Sequence, residues 1–203
     1  MLAALDVAKH LIRVGYDPEN PMDSVWICPL RLQKLLYYCQ GWSLALLGRK
    51  LFDEPLQAWV EGPVVRSVYD RFSGTRSPIS PEAIEEPDVS LSMTEAALVE
   101  MVWKEYSRFT PKELVARTHN EPAWSEARGG LLPTERSTSR LSEETMMYSF
   151  KKLARSGLVL QLGFPQIDPA EAWKADEASE KAGNTGIPAK NLFYSMLASI
   201  PSS

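Results

Sequence analysis

The sequence predicts a mainly α-helical fold: a compact helical domain around a central buried helix, with a small β element. Apolar residues recur at helical spacing along much of the chain, and only 56–60 and 158–164 have the composition of short strands. The stretch "LRLQKLLYYCQGWSLALLGR" (30–49) is apolar on nearly every side. A helix of this kind needs neighbours all around it, so we place it at the centre of the domain.

The helices of the first third of the chain are predicted from their apolar spacing and their breaker residues. A first helix covers 3–14, and the central helix starts at Pro29 and ends near Gly48. The dipeptide Gly62-Pro63 predicts the start of a third helix, because proline is tolerated in the first helical turn.

Capping residues predict where the later helices begin. Ser92 with Glu95 and Thr110 with Glu113 have the spacing of capping boxes, in which two side chains satisfy backbone groups reciprocally. The remaining predicted starts and ends are Pro122, Gly129, Ser142 and Gly157.

The chain is predicted to form one helical domain, 1–164, followed by a C-terminal extension, 165–203, that ends in a short helix over 187–200. The apolar residues of that helix would be exposed together if it stayed free, so we expect it to dock on the core. The best internal break is the polar loop 73–92, which contains three prolines.

Several residues of the central helix are unusual for a buried position. Gly41 costs roughly 1 kcal/mol of helix stability against alanine, which predicts that another backbone packs closely there. Gln40 is expected to be a buried hydrogen-bond anchor. Lys34 is either a second buried anchor or the rim of a surface, and if buried it needs a carboxylate partner such as Glu54 or Glu61.

Composition excludes several classes of function. Lys and Arg number 22 against 26 for Asp and Glu, a net charge of −4, which disfavours a nucleic-acid-coating role.

The N-terminus has no signal-peptide pattern and no run of apolar residues is long enough to span a membrane, so we predict a cytoplasmic protein. Cys28 and Cys39 are expected to be buried hydrophobes. Two isolated cysteines and two isolated histidines, His10 and His119, do not have the spacing of a metal site. We therefore predict no metal, no cofactor and no catalytic residues.

Three motifs resemble one known family in combination. They are L-Q-K-L-L-Y-Y-x-Q-G-W from Leu32, L-F-x-E-P-x-x-A-W-x-x-G-P-V-V from Leu51, and T-H-x-E-P-x-W from Thr118. In this order and spacing they are similar to the Panacea domain of SocA-like and phage-associated proteins, over about 3–160. The resemblance implies a mostly helical fold with a small β element. It also implies an antitoxin that binds and neutralises a protein toxin encoded nearby.

The resemblance and the polar residues beside it suggest which side chains contact the partner. The predicted set is Lys34, Tyr38, Gln40, Trp42, Trp59, Glu61, His119 and Trp124. Within the same class, the alternative is a proteolytic adaptor that delivers the toxin to a cytoplasmic ATP-dependent protease. A hydrolase that uses His119 is the alternative from a different class. A DNA-binding repressor is disfavoured by the net charge and by the lack of a basic helix.

Overall fold

The protein is described here by a computed structural model, which covers 2–17, 19, 25–74, 78–79 and 91–155 of the 203 residues. Four predictions lie outside the described residues: the helix end at Gly157, the strand over 158–164, the extension 165–203 and its terminal helix 187–200. The proposed boundary at residue 164 lies outside them as well.

The described residues form seven helices and one two-stranded sheet, which confirms a mainly α-helical fold with a small β element. In chain order the elements are α1 (Ala4–Val14), α2 (Pro29–Leu46), β1 (Leu56–Trp59), β2 (Gly62–Val65), α3 (Arg66–Phe72), α4 (Met93–Tyr106), α5 (Pro111–His119), α6 (Pro122–Arg128) and α7 (Glu143–Arg155).

Helix α2 is the central buried helix that the sequence predicts. Fourteen of its eighteen residues are buried, including the polar side chains of Gln33, Lys34 and Gln40. It packs against α1, α4, α5, α7 and the sheet, so it has neighbours on most of its sides. The all-round apolar character of its sequence follows from this position, because neighbouring elements cover most of the helix surface.

The helix predicted to start at Gly62-Pro63 is wrong. These residues open strand β2, which pairs antiparallel with β1 so that Ala58 faces Pro63 and Trp59 faces Gly62. The two-residue turn between the strands closes a hairpin, and the β-branched pair Val64-Val65 continues the strand. Helix α3 begins only after it.

Gly41 is explained by a side chain and not by the close backbone that the sequence predicted. A Cβ atom added at Gly41 would lie 2.3 Å from Cε2 of Phe150, which is fully buried on α7. The Phe150 ring also meets the rings of Tyr37, Tyr38 and Trp42 edge-on. Because Gly41 has no side chain, the Phe150 ring of α7 packs directly against α2 at this position.

Both predicted capping boxes are present. Ser92 Oγ accepts from the Glu95 N–H at the start of α4, and Thr110 Oγ1 accepts from the Glu113 N–H at the start of α5. Each glutamate accepts in return from the backbone N–H of its capping residue. These contacts are local in sequence, which is why spacing alone was enough to find them.

Candidate functional site

Gln40 is a buried hydrogen-bond anchor, as the sequence predicted. Its Oε1 accepts from the backbone N–H of Leu51 at 2.9 Å and of Phe52 at 3.2 Å, and its Nε2 donates to the Phe52 carbonyl at 3.0 Å. The side chain thereby satisfies backbone groups of Leu51 and Phe52, which lie in the segment that follows α2. Gln40 ties α2 to the segment that leads into the hairpin.

Lys34 is the second buried polar residue of α2, with a side chain that is 0% exposed. Its Nζ donates to the Pro63 carbonyl at 2.9 Å. Burial lowers the pKa of Lys34 to about 7, and the charge of Glu61 opposes part of that shift. Of the two carboxylates expected as partners, Glu61 is therefore the one that acts on Lys34. The other, Glu54, accepts from the Ala4 N–H at the start of α1.

Gly62 packs closely against Lys34 and cannot be replaced without displacing its neighbours. A Cβ atom there would lie 2.7 Å from Thr118 Oγ1 and 3.0 Å from Lys34 Nζ. Gly62 also has a φ of +94°, a region that L-residues with side chains rarely adopt. The glycine of the second motif and the threonine of the third motif thus meet the lysine of the first.

His119 belongs to a layered stack at the end of α5. Its ring lies 3.9 Å from the ring of Trp124 at an angle of 11°, and the Arg128 guanidinium is 5.0 Å from the same tryptophan. Burial, followed by the charge of Lys34, lowers the pKa of His119, so the ring is neutral at pH 7. Within the described part of the chain, Nε2 is buried and has no hydrogen-bond partner.

Two hydrogen bonds from side chains to backbone carbonyls connect the same stack to the hairpin. Trp124 Nε1 donates to the Trp59 carbonyl at 2.9 Å, and Arg128 Nη1 donates to the Ala58 carbonyl at 3.3 Å. The T-H-x-E-P-x-W motif therefore connects α5 and α6 to β1. These contacts explain the tryptophan at position 124, because an indole ring can both pack against other rings and donate a hydrogen bond.

Sequence reasoning missed the role of Glu121, the acidic residue of the third motif. Its carboxylate accepts from the hydroxyls of Tyr37 and Tyr38 at 2.5 and 3.0 Å. Burial raises the pKa of Glu121, although both tyrosine hydrogen bonds act in the opposite direction. Tyr38 also stacks on Tyr106 at 3.7 Å. The adjacent tyrosines of the first motif were the available signal, because buried hydroxyls need an acceptor.

Residues 32–125 match the family model described as "Antitoxin SocA-like, Panacea domain". This part of the chain is therefore similar to a Panacea domain. No curated protein and no solved structure matches the chain. The matched range runs from α2 into α6 and contains all three motifs, and these motifs meet in the contacts just described.

The fold places the eight predicted partner residues in three different settings. Four of them are fully packed inside the fold and offer no surface to a partner that docks on this conformation: Lys34, Tyr38, Gln40 and Trp42. His119 and Trp124 stack on each other below the hairpin. Glu61 is exposed, and Trp59, like His119, is half-buried.

Trp59 forms a partly exposed aromatic pair with Tyr69 of α3. The rings of Trp59 and Tyr69 meet edge-on with their centroids 4.7 Å apart, and Tyr69 is 38% exposed. The Arg66 guanidinium is 5.7 Å from the Trp59 ring and forms an ion pair with Asp70 at 2.8 Å. We call Trp59, Glu61, Arg66 and Tyr69 the hairpin patch. Sequence reasoning missed Arg66 and Tyr69, because the helix was expected to begin four residues earlier.

The described residues contain neither a metal-binding cluster nor a helix that could span a membrane. No group of three or more His, Cys, Asp or Glu side chains in this part of the chain is arranged to hold a metal ion. Cys39 is buried, whereas Cys28 is only partly buried. None of the described helices is long and apolar enough to cross a membrane.

Proposed function

We propose that this protein is the antitoxin of a toxin–antitoxin pair and neutralises its partner toxin by direct, stoichiometric contact. The observation that carries the proposal is the match of residues 32–125 to a family described as SocA-like antitoxins. The three motifs of that region meet in a tightly packed interior, which is suited to holding a rigid binding surface. The toxin would be encoded nearby, and both proteins would act in the cytoplasm without a cofactor.

We assign the toxin contact to the hairpin patch. Tryptophan, tyrosine and arginine are the residue types that dominate binding energy at protein interfaces, and here they lie together on one surface. The buried members of the predicted set support this patch from below: Lys34 bonds to β2, and Trp124 bonds to β1. They would affect toxin binding through the shape of the hairpin and not by touching the toxin.

The function is tested by a growth assay with the neighbouring open reading frame. Expressed alone, the neighbour should stop growth, and co-expression with this protein should restore it. A harmless neighbour, or one that stays toxic in the presence of this protein, would refute the antitoxin role.

The contact surface is tested with the double substitution Trp59→Ala/Tyr69→Ala. We expect a loss of growth rescue and of toxin co-purification, with a folded protein by circular dichroism. Tyr148→Ala is the matched control, because Tyr148 is 71% exposed on α7 and lies outside the hairpin patch. Full rescue by the double variant would remove the hairpin patch from the proposal while leaving the antitoxin role intact.

Capture and degradation are separated by the level of the toxin. Stoichiometric capture predicts a stable complex and an unchanged amount of toxin in a strain that lacks cytoplasmic ATP-dependent proteases. The proteolytic adaptor predicts that toxin disappears only when the protease is present. Rescue that depends on the protease would replace capture by the adaptor mechanism.

A hydrolase that uses His119 is the alternative from a different class. The neutral ring of His119 packs face to face against Trp124, which favours a structural role for His119. His119→Gln should therefore retain toxin suppression if the hairpin stays in place. Loss of suppression by a variant of unchanged thermal stability would return His119 to consideration as a catalytic group.

A further inference from the structure

A second surface of the molecule collects arginines around one aromatic ring. The guanidinium groups of Arg108 and Arg117 lie 4.9 and 3.8 Å from the ring centre of Phe109. Arg31, in the first turn of α2, donates from Nη1 to the Ser107 carbonyl at 3.0 Å and so lies at the same place. We call Arg31, Arg108, Phe109 and Arg117 the arginine corner.

The arginine corner is positive although the chain as a whole carries a charge of −4. The segment 104–117 has four basic residues and two acidic ones. Of the two, Glu105 pairs with Arg108, and Glu113 caps the start of α5. The first turn of α2 contains no acidic residue beside Arg31, and within the described residues Arg31 Nε is buried without a hydrogen-bond partner.

The described chain ends on the same side of the molecule. Helix α7 runs antiparallel to α2, because Glu143 at its start pairs with Lys50 beyond the end of α2, and Phe150 further along lies against Gly41. The last described residue, Arg155, therefore points towards the N-terminal end of α2. That is the end that carries Arg31.

The sequence that follows contains an acidic segment with one aromatic residue. Residues 168–180 read "DPAEAWKADEASE", with five carboxylates against one lysine, a net charge of −4, and Trp173 in the middle. Twelve residues separate Arg155 from Asp168 and span up to about 40 Å when extended. A domain of this size has a radius of gyration of about 15 Å, so the segment can reach the arginine corner.

We propose that residues 168–180 dock on the arginine corner of the same chain, with carboxylates paired to its guanidinium groups and Trp173 near Phe109. Each exposed ion pair contributes little alone. Attachment to the same chain gives the segment an effective concentration of the order of millimolar, so a weak contact is sufficient. The proposal does not depend on the antitoxin role.

The test uses the full chain with photoreactive benzoylphenylalanine in place of Trp173. After irradiation, we expect crosslinks within the monomer band, mapped by mass spectrometry to Arg31 or to 104–117. The yield should fall about tenfold when salt is raised from 0.05 to 0.5 M, because exposed charges are then screened. Crosslinks spread over other surfaces would overturn the proposal, and so would crosslinks found only between two copies or only to a captured partner.

Charge reversal gives an independent measurement. Arg108→Glu/Arg117→Glu should lose the crosslink, and Asp176→Arg/Glu177→Arg in the same chain should restore it. The matched control is Arg136→Glu/Arg140→Glu, which reverses two exposed arginines outside the corner and should leave the yield unchanged. A crosslink that survives in the first variant, or falls equally in the control, would contradict docking at the arginine corner. If the first variant does not fold, the map and the salt dependence of the unaltered corner decide.

Discussion

Replacing Lys34 by methionine is expected to stabilise the protein at neutral pH, and the gain should shrink as the pH rises. The folded-state pKa of Lys34 is about 7, whereas an exposed lysine has a value of about 10.5. Between these values the unfolded chain keeps a proton that the folded protein has released. Unfolding then takes up a proton, so the free energy of unfolding of the natural protein rises with pH over this window.

The size of the effect follows from the same two pKa values. Keeping the amine buried costs roughly 4 kcal/mol at pH 7 and about 2 kcal/mol at pH 9, at 1.36 kcal/mol for each pKa unit. Methionine removes this cost but leaves the Pro63 carbonyl without its donor, which costs about 1–3 kcal/mol. The expected net gain is roughly 1–3 kcal/mol at pH 7 and close to zero at pH 9.

The assay is urea unfolding at pH 7, 8 and 9, followed by circular dichroism for both proteins. Groups that titrate equally in the two proteins cancel in the difference. The exposed Lys112→Met serves as the control and should show no pH-dependent difference. Parallel pH profiles for Lys34→Met and the natural protein would refute the lowered pKa. Lower stability at pH 7 would show that the bond to Pro63 outweighs the cost of burial.

Three further substitutions test the packing, each by the free energy of urea unfolding. Gly41→Ala should destabilise the protein by about 1–3 kcal/mol, because the new methyl group collides with Phe150, although alanine has the better helix propensity. The loss should be smaller in a Phe150→Leu background, and an equal loss there would contradict this explanation. Gln40→Leu should cost about 2 kcal/mol or more by leaving three buried backbone groups unpaired, and a neutral effect would contradict that anchor. Thr110→Ala should cost about 1 kcal/mol through loss of the cap, whereas Thr110→Ser should cost little.

The helix starts were predictable because their causes are local. A capping box is complete within four residues, so Ser92 with Glu95 and Thr110 with Glu113 could be recognised from spacing. The start of β2 could not, because Gly62-Pro63 is compatible with a helix N-terminus and with a hairpin. Pairing with β1, which is a contact between segments, decided for the strand.

The sequence named two of the four residues of the hairpin patch, Trp59 and Glu61, and missed Arg66 and Tyr69. Gln40 was correctly expected to be an anchor. Burial of Lys34 under the hairpin, and the exposure of Tyr69 beside Trp59, depend on how α2, α3 and the sheet pack together. A sequence pattern describes one element at a time and carries no such information.

The sequence by itself determined the mainly helical class, the central position of α2 and the similarity of residues 32–125 to the Panacea domain. These follow from periodicity, from all-round apolar character and from motif spacing, which are properties of one segment of chain. The tertiary structure alone decided that Phe150 occupies the space over Gly41, and that Glu121 serves two tyrosines. Such pairings join residues more than eighty positions apart, and only the packing of separate helices brings them into contact.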